Sequence, residues 1–424
     1  MKFLNTITLL LGALLISSIT HAASQQELSV WLNTVVKQHP RLQAAQAVVD
    51  KAEAKRRAAD QPLFNPEIEF EYESTDVDTK TAGITQTIDW GDKRSAQTRL
   101  ADFSWQHSIS ELAFQQQQLS AEVLLALASY RASIESQQIA AKRMASMATF
   151  INIAKQRYDA GDLTEVDLSL AQLASSEASF QLADAESSLI ANKQALFVLL
   201  GDDSDKALMT LPFIESVPDG QQQPVDNIDA LLDSLPQMQL ARARMDIARA
   251  DIKLRQREQR PDPTIGIKAG KEGDESLTNI TFSMPLFVRN NFSAEVDAAN
   301  AQLIQRQREA IDIRRLLAAK LKTATQTLAL NRRAWAQWQA VGSHSLLQQE
   351  SLLERLWKVG ELSTADYLVQ LKQSLDTQAS AIEHKTQLWQ SWTQWLIASG
   401  EINQWITSDD VAITNNATQP GNGE

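Results

Sequence analysis

The chain has 424 residues and a formal net charge of −12, with 52 acidic against 40 basic side chains, which argues against a protein that works by neutralising nucleic-acid phosphates. It contains no cysteine, so disulfides, thiolate chemistry and a lipid-attachment cysteine are all excluded. Only 14 glycines and 11 prolines, with 6% aromatic residues, suit a mostly helical chain of extended form.

Residues 1–22 read as a secretory signal: Lys2, an apolar run from Ile7 to Ile16, and Thr20-His21-Ala22 before the expected cleavage point. The alternative, an uncleaved anchor, is disfavoured because the run is short for a spanning helix, and no later run is long enough either. Residues 24 to 60 are predicted as helices interrupted at His39-Pro40. Strand character follows. Glu67-Ile68-Glu69-Phe70-Glu71-Tyr72-Glu73 alternates without a fault, which places four carboxylates on one face and apolar side chains on the other. Ile84, Ile88 and Trp90 alternate with Thr85, Thr87 and Asp89 in a second predicted strand. Residues 92 to 160 then hold no glycine or proline. A helix of some 65 residues would reach roughly 100 Å, far too long for one globular core.

That helix ends at Tyr158-Asp159-Ala160-Gly161-Asp162-Leu163-Thr164-Glu165-Val166-Asp167, read as the tip of a helical hairpin. Gly161 supplies the left-handed residue that closes a helix, and Thr164 with Asp167 supplies a capping box for the next one. A stretch free of glycine and proline then runs to Gly201. The plan repeats downstream. Pro236 to Ala250 resembles Pro40 to Ala54; Asp262-Pro263 stands where Asn65-Pro66 stood. Ile265 and Ile267, then Ile280, Phe282 and Met284, mark two more alternating strands. Residues 286 to 359 contain only Gly342, and Trp357-Lys358-Val359-Gly360-Glu361-Leu362-Ser363-Thr364-Ala365-Asp366 repeats the tip, with Gly360, Ser363 and Asp366 in the same roles. From Gly161 to Gly201 and from Gly360 to Gly400 the intervals are equal.

The division is therefore a signal (1–22), a first repeat (23–201), a linker (202–235) carrying Pro212, Pro218, Gly220 and Pro224, a second repeat (236–400) and a polar tail (401–424) read as disordered. Leu119, Val123, Leu127, Tyr130 and Ile134 form a helical stripe, as do Leu368, Leu371, Leu375 and Ile382; both read as coiled-coil packing. The basic clusters Lys253 to Arg260 and Arg306 to Arg315 read as solvated helix faces. His39, His107, His344 and His384 are isolated, and no nucleophile triad or phosphate-binding loop is present, so neither a metal site nor an enzyme is expected.

A sheet packed on a soluble core would alternate in the same way as these four segments. The export signal, the strand length of about nine or ten residues and the lack of a separate core favour a membrane barrel instead. Four strands cannot close a barrel, so several chains must each contribute four.

With these features in place, the sequence resembles the TolC family of outer-membrane efflux and export channels across essentially the whole mature chain. The family's aromatic-x-x-Gly-x-x-Ser/Thr-x-x-Asp tip is matched twice, by Tyr158 to Asp167 and by Trp357 to Asp366. Pro62-Leu63-Phe64-Asn65-Pro66-Glu67 and Trp90-Gly91-Asp92-Lys93-Arg94 are similar to the CzcC-like heavy-metal branch. The resemblance implies a homotrimer in the bacterial outer membrane, with a 12-stranded barrel and a coiled-coil periplasmic tunnel of twelve helices. It also implies two partners, a periplasmic adaptor (membrane fusion protein) and an inner-membrane pump of the resistance-nodulation-division (RND) type. The expected role is a passive exit duct without cofactor, with heavy-metal cations as one cargo. Drug efflux or type I protein secretion is the alternative within the fold, and a soluble periplasmic coiled-coil adaptor is the alternative outside it. An exported enzyme is a distant third. Glu67, Glu69, Glu71 and Glu73 are expected to line the barrel lumen. Tyr158, Gly161, Leu163, Thr164 and Asp167, with Trp357, Gly360, Leu362, Ser363 and Asp366, are expected to form the adaptor-docking tip. Family members often carry an acidic ring and a basic residue at this entrance; here Val369 and Leu362 stand in two of those places, which removes part of a charged latch.

Overall fold

The computed structural model describes residues 27–201, 204–211, 217 and 227–402; the predicted signal, much of the linker and nearly all of the polar tail lie outside them. The chain is mostly helical, with one antiparallel sheet. A helix over residues 27–38 (α1) breaks at His39 and resumes as α2 (Pro40–Ala59), with proline at the first helical position, where its missing N–H costs nothing. Strands β1 (Glu67–Ser74) and β2 (Asp78–Thr87) form a hairpin. The 67-residue α3 (Lys93–Asp159) follows without a break. It starts where the Asp89 carboxylate accepts from the backbone N–H groups of Lys93 and Arg94, both at 2.8 Å.

The first tip leads into α4 (Glu165–Leu200), and α5 (Ser204–Met209) and α6 (Ile228–Ser234) fall within the interval read as a linker. The second repeat contains α7 (Pro236–Glu258), β3 (Thr264–Glu272), β4 (Glu275–Ser283) and α8 (Ser293–Gln337). A π-helical turn, Trp338–Gly342, separates α8 from α9 (Ser343–Lys358). The last helix, α10 (Thr364–Ser399), has 36 residues, as α4 does, and each of the two stops at a glycine with positive φ, Gly201 at 77° and Gly400 at 74°.

The chain divides into two compact units, each drawn from both repeats. The first comprises residues 1–39, 116–226 and 319–424. Its buried side chains include the predicted stripe residues Leu119, Val123, Leu127, Leu371, Leu375 and Ile382, together with Trp389, Trp392, Trp395 and Leu396 near the end of α10. Gln117 Nε2 donates to the Ile397 carbonyl at 3.2 Å and ties α3 to α10 there. The second unit comprises residues 40–115 and 227–318. Met238, Leu240, Ala241, Ile252 and Leu254 of α7 are buried in it. Arg314 joins α8 to α6 through Asp229 at 2.9 Å and Asp233 at 2.5 Å.

The sheet has the order β1-β2-β3-β4 with every neighbour antiparallel. One correction concerns β2. The sequence alternation places Ile88 and Trp90 on that strand, but it ends at Thr87 and begins earlier, at Asp78. Pro261 and Pro263 flank the start of β3 and offer no backbone N–H, so the ladder stops after Ile88 donates to the Pro263 carbonyl at 2.9 Å. Asp89 is then committed to capping α3.

Candidate functional site

The register builds two unlike faces on the sheet. One row aligns Ile68, Ile84, Ile267 and Ile280; the next aligns Phe70, Ala82, Ala269 and Thr278. This apolar face is the exposed one, with Ile68 at 69%, Phe70 at 82% and Ile280 at 73% of full accessibility. The opposite face carries Glu67, Glu69, Glu71 and Glu73 on β1, beside Thr85, Gly83, Thr81 and Thr79 on β2. Lys268 and Glu272 of β3 and Asn279 and Glu275 of β4 extend it. It is the more sheltered face: Thr85 is buried and Thr79, Thr81 and Lys268 are half-buried. A sheet in water normally buries its apolar side and exposes its charges, so the arrangement is inverted. All four glutamates predicted for the polar face stand on it together.

Sequence reasoning did not find the cation that answers them. Lys268 Nζ lies 2.8 Å from Glu69 Oε2 and 3.2 Å from Glu71 Oε2. Glu67 and Glu73 make no ion pair among the described residues.

The tips belong to the other unit. At the first, Gly161 has φ 82°, Gly161 N–H donates to the Tyr158 carbonyl at 2.9 Å and Asp162 N–H to the Arg157 carbonyl at 2.8 Å. At the second, Gly360 has φ 80° and Glu361 N–H donates to the Leu356 carbonyl at 2.9 Å. Both are the helix-closing pattern that leaves a left-handed residue after the last turn. Thr164 Oγ1 accepts from Asp167 N–H at 3.2 Å, and Asp167 Oδ2 accepts from Thr164 N–H at 3.2 Å, which completes the capping box. Ser363 Oγ accepts from Asp366 N–H at 3.1 Å.

Side chains at the tips divide in a way the repeated motif does not suggest. Trp357 is buried, with its ring 4.6 Å from Phe150 and 5.1 Å from Tyr367. Tyr158, its counterpart, is exposed. Leu163 and Leu362 are half-buried and pack on the cluster of Met147, Phe150, Ala154, Trp357 and Tyr367. Their place beyond the last turn is where a hydrophobic contact commonly seals such a helix end. The apolar side chains that do face outward include Val166, Leu170, Leu173, Val359 and Val369. Arg157 ties the two tips together: its guanidinium lies over the Trp357 ring at 5.2 Å and donates to the Lys358 carbonyl at 3.1 Å. Further along, Lys372 Nζ on α10 donates to Glu177 Oε1 on α4 at 2.9 Å, and this bond, reinforced by Arg143, holds the Glu177 carboxyl below its ordinary range.

Among the described residues no group of three or more His, Cys, Asp or Glu side chains is arranged to hold a metal ion. Among them, too, no helix is long and apolar enough to cross a membrane.

Residues 31–202, most of the first repeat, match the family described as outer membrane efflux protein. The chain is 25% identical over 272 residues to the cobalt-zinc-cadmium resistance protein CzcC of Cupriavidus metallidurans, an alignment covering 63% of this chain and 65% of that protein. In fold it is similar to the outer-membrane channel OprN, with a TM-score of 0.75 at 14% identity, over 90% of this chain and 92% of that one. The CmeC outer membrane channel of Campylobacter jejuni gives 0.74 at 14% identity, over 88% and 85% of the two chains. The first repeat thus matches the outer membrane efflux protein family in sequence, and both repeats share the fold of the solved outer-membrane channels.

Proposed function

We propose that the protein is the outer-membrane duct of a tripartite efflux system, a passive conduit that spans the outer membrane as a β-barrel and carries its helices in the periplasm. The inverted sheet carries this reading. Burying a large aliphatic or aromatic side chain stabilises by about 1.5–3 kcal/mol, so Ile68, Phe70, Ile84, Ile267, Ile280 and Phe282 need an apolar surrounding that no element among the described residues supplies. Strands of 8 to 10 residues fit the hydrocarbon thickness of a bilayer. Tyr72 and the Lys80 ammonium, 5.4 Å from its ring, mark one end of the apolar band, and exposed Trp90 lies towards the other. These are the residue types that settle at a membrane interface.

Among the described residues of one chain, no strand lies beyond the β1 and β4 edges. Unpaired backbone groups in lipid cost several kcal/mol each, so the assembled form must join β1 of one chain to β4 of the next. A homotrimer gives twelve strands and a lumen lined by the polar face. The hairpin tips face the periplasm, where a membrane fusion protein docks and couples the duct to an inner-membrane pump of the RND type. The likeness to CzcC supports heavy-metal cations as the cargo, ahead of drugs or secreted proteins of the same fold's other members. Deleting the gene should raise sensitivity to cobalt, zinc and cadmium, with complementation restoring resistance and the protein remaining in the outer membrane after a salt wash. Extraction by salt would turn the reading to a soluble periplasmic adaptor, and unchanged metal sensitivity would redirect the cargo to drugs or proteins.

A further inference from the structure

The polar face holds one cation placed unlike any other charge on the sheet. Glu69, Gly83 and Lys268 are aligned across three adjacent strands in one cross-strand row. Glu69 and Lys268 are therefore not neighbours; a whole strand lies between them. Lys268 reaches across because that strand presents a glycine. A β-carbon built on Gly83 would stand 2.5 Å from Lys268 Cγ and 2.5 Å from the Ile267 carbonyl, so no larger residue fits beneath the lysine stem. The stem lies over β2 and sets the ammonium between the Glu69 and Glu71 carboxylates, at 2.8 Å and 3.2 Å. Only 18% of the Lys268 side chain is exposed, against 39% for Glu69 and 59% for Glu71. A pinned, half-sheltered ammonium is a fixed charge, unlike an exposed lysine that samples many rotamers.

We propose that Lys268 is the specificity-determining residue of the polar face: it offsets one of the two carboxylate charges in the middle of the β1 row and leaves those of Glu67 and Glu73 unopposed at the two ends. The proposal rests on the barrel reading above, and it changes that reading's charge pattern. Four equal glutamates would form a uniformly negative wall. With Lys268 in place the middle pair, Glu69 and Glu71, keeps about one net negative charge instead of two, between Glu67 at one end and Glu73 at the other. A cation moving along the face meets an attractive site, a more weakly charged stretch, and a second attractive site. Separated sites of moderate strength favour passage, whereas a continuous acidic wall would hold a multivalent cation. At the Glu73 end the zone is reinforced by Glu272 and Glu275 in the same row. Gly83 has the supporting role of keeping the path across β2 open.

The test uses the full-length protein purified from outer membranes and reconstituted in planar bilayers under a potassium chloride gradient. Lys268→Gln should raise the potassium-to-chloride permeability ratio about twofold or more, because it removes the one positive charge set between the two middle carboxylates of each chain. Lys268→Arg should stay near the parent. Adding Glu69→Gln to Lys268→Gln should lower the ratio again. For divalents, Lys268→Gln should slow zinc passage and deepen its block of potassium current. Assembly of each variant is followed by its melting temperature and its oligomer band. A conducting parent whose selectivity and zinc block are unmoved by Lys268→Gln overturns the clamp alone. A correctly inserted parent that conducts nothing overturns the channel reading and the clamp with it.

Discussion

Trp357 and Tyr158 occupy the same slot in two copies of one motif and do different work. Trp357 is locked between Phe150 and Tyr367, so its truncation removes a buried ring and breaks the aromatic cluster. Trp357→Ala should cost about 3–5 kcal/mol locally, seen as a lower melting temperature and early protease cleavage near residue 360. Tyr158→Ala should change neither. The packing also changes which residues test docking. Leu163 and Leu362 seal the helix ends, so charges there would disturb the tips themselves. Val166→Asp and Val359→Asp, on exposed side chains, should leave stability within about 0.5 kcal/mol while reducing cross-linking to the adaptor. Intact adaptor capture with both valines replaced would remove these residues from the docking surface. The motif spelled out the turn chemistry of both tips because glycine and capping residues act within a few positions. It did not distinguish the two aromatics, whose surroundings come from α3 and α10.

At the scale of elements, the contact between α4 and α10 has an electrostatic component with a definite sign. Glu177 accepts from Lys372, and its carboxyl is held below the ordinary glutamate range, first by that hydrogen bond. A depressed carboxylate contributes stability that is complete above the unfolded value and is lost as pH falls through the folded one. The pair is largely exposed, so its contribution is at most about 1 kcal/mol. Hydrogen exchange in the first half of α4 and α10 should therefore speed up as pH drops below the ordinary glutamate range, after correction for intrinsic rates. Glu177→Gln should flatten that dependence and leave the neutral-pH exchange slightly faster. A profile identical in both proteins would assign the contact to packing alone. The strand hairpins were legible from alternation, yet the alternation places β2 too late along the chain. Its first half, Asp78 to Gly83, lacks large apolar residues, and Ile88 and Trp90 continue the pattern past the point where Pro263 ends the ladder. The Lys268 bridge was not legible either, since Lys268 and Glu71 are 197 residues apart and meet only through the register of three strands.

For the whole molecule, duplication is the dominant fact. Each repeat supplies one strand hairpin and one helical hairpin, and each compact unit takes a share of both. The equal lengths of α4 and α10 were readable from the glycine spacing. The π-helical turn at Trp338–Gly342 breaks the symmetry, since α3 runs through without a counterpart. Gly342 was visible in the sequence as the lone glycine of that stretch, but not the Trp338 ring that lies where a β-carbon on Gly342 would stand. The central claim is that β1 and β4 are edges completed only by other copies of the chain. A chain without cysteine makes that claim directly measurable. Phe70→Cys on β1 should be combined in turn with cysteines at positions 276 to 282 of β4, oxidised in intact outer membranes, and resolved on denaturing gels. The account predicts, at the paired register, a ladder of covalent dimers and trimers that ends at the trimer and collapses to monomer on reduction. A disulfide formed within a single chain, or a monomer band at every register, would contradict it.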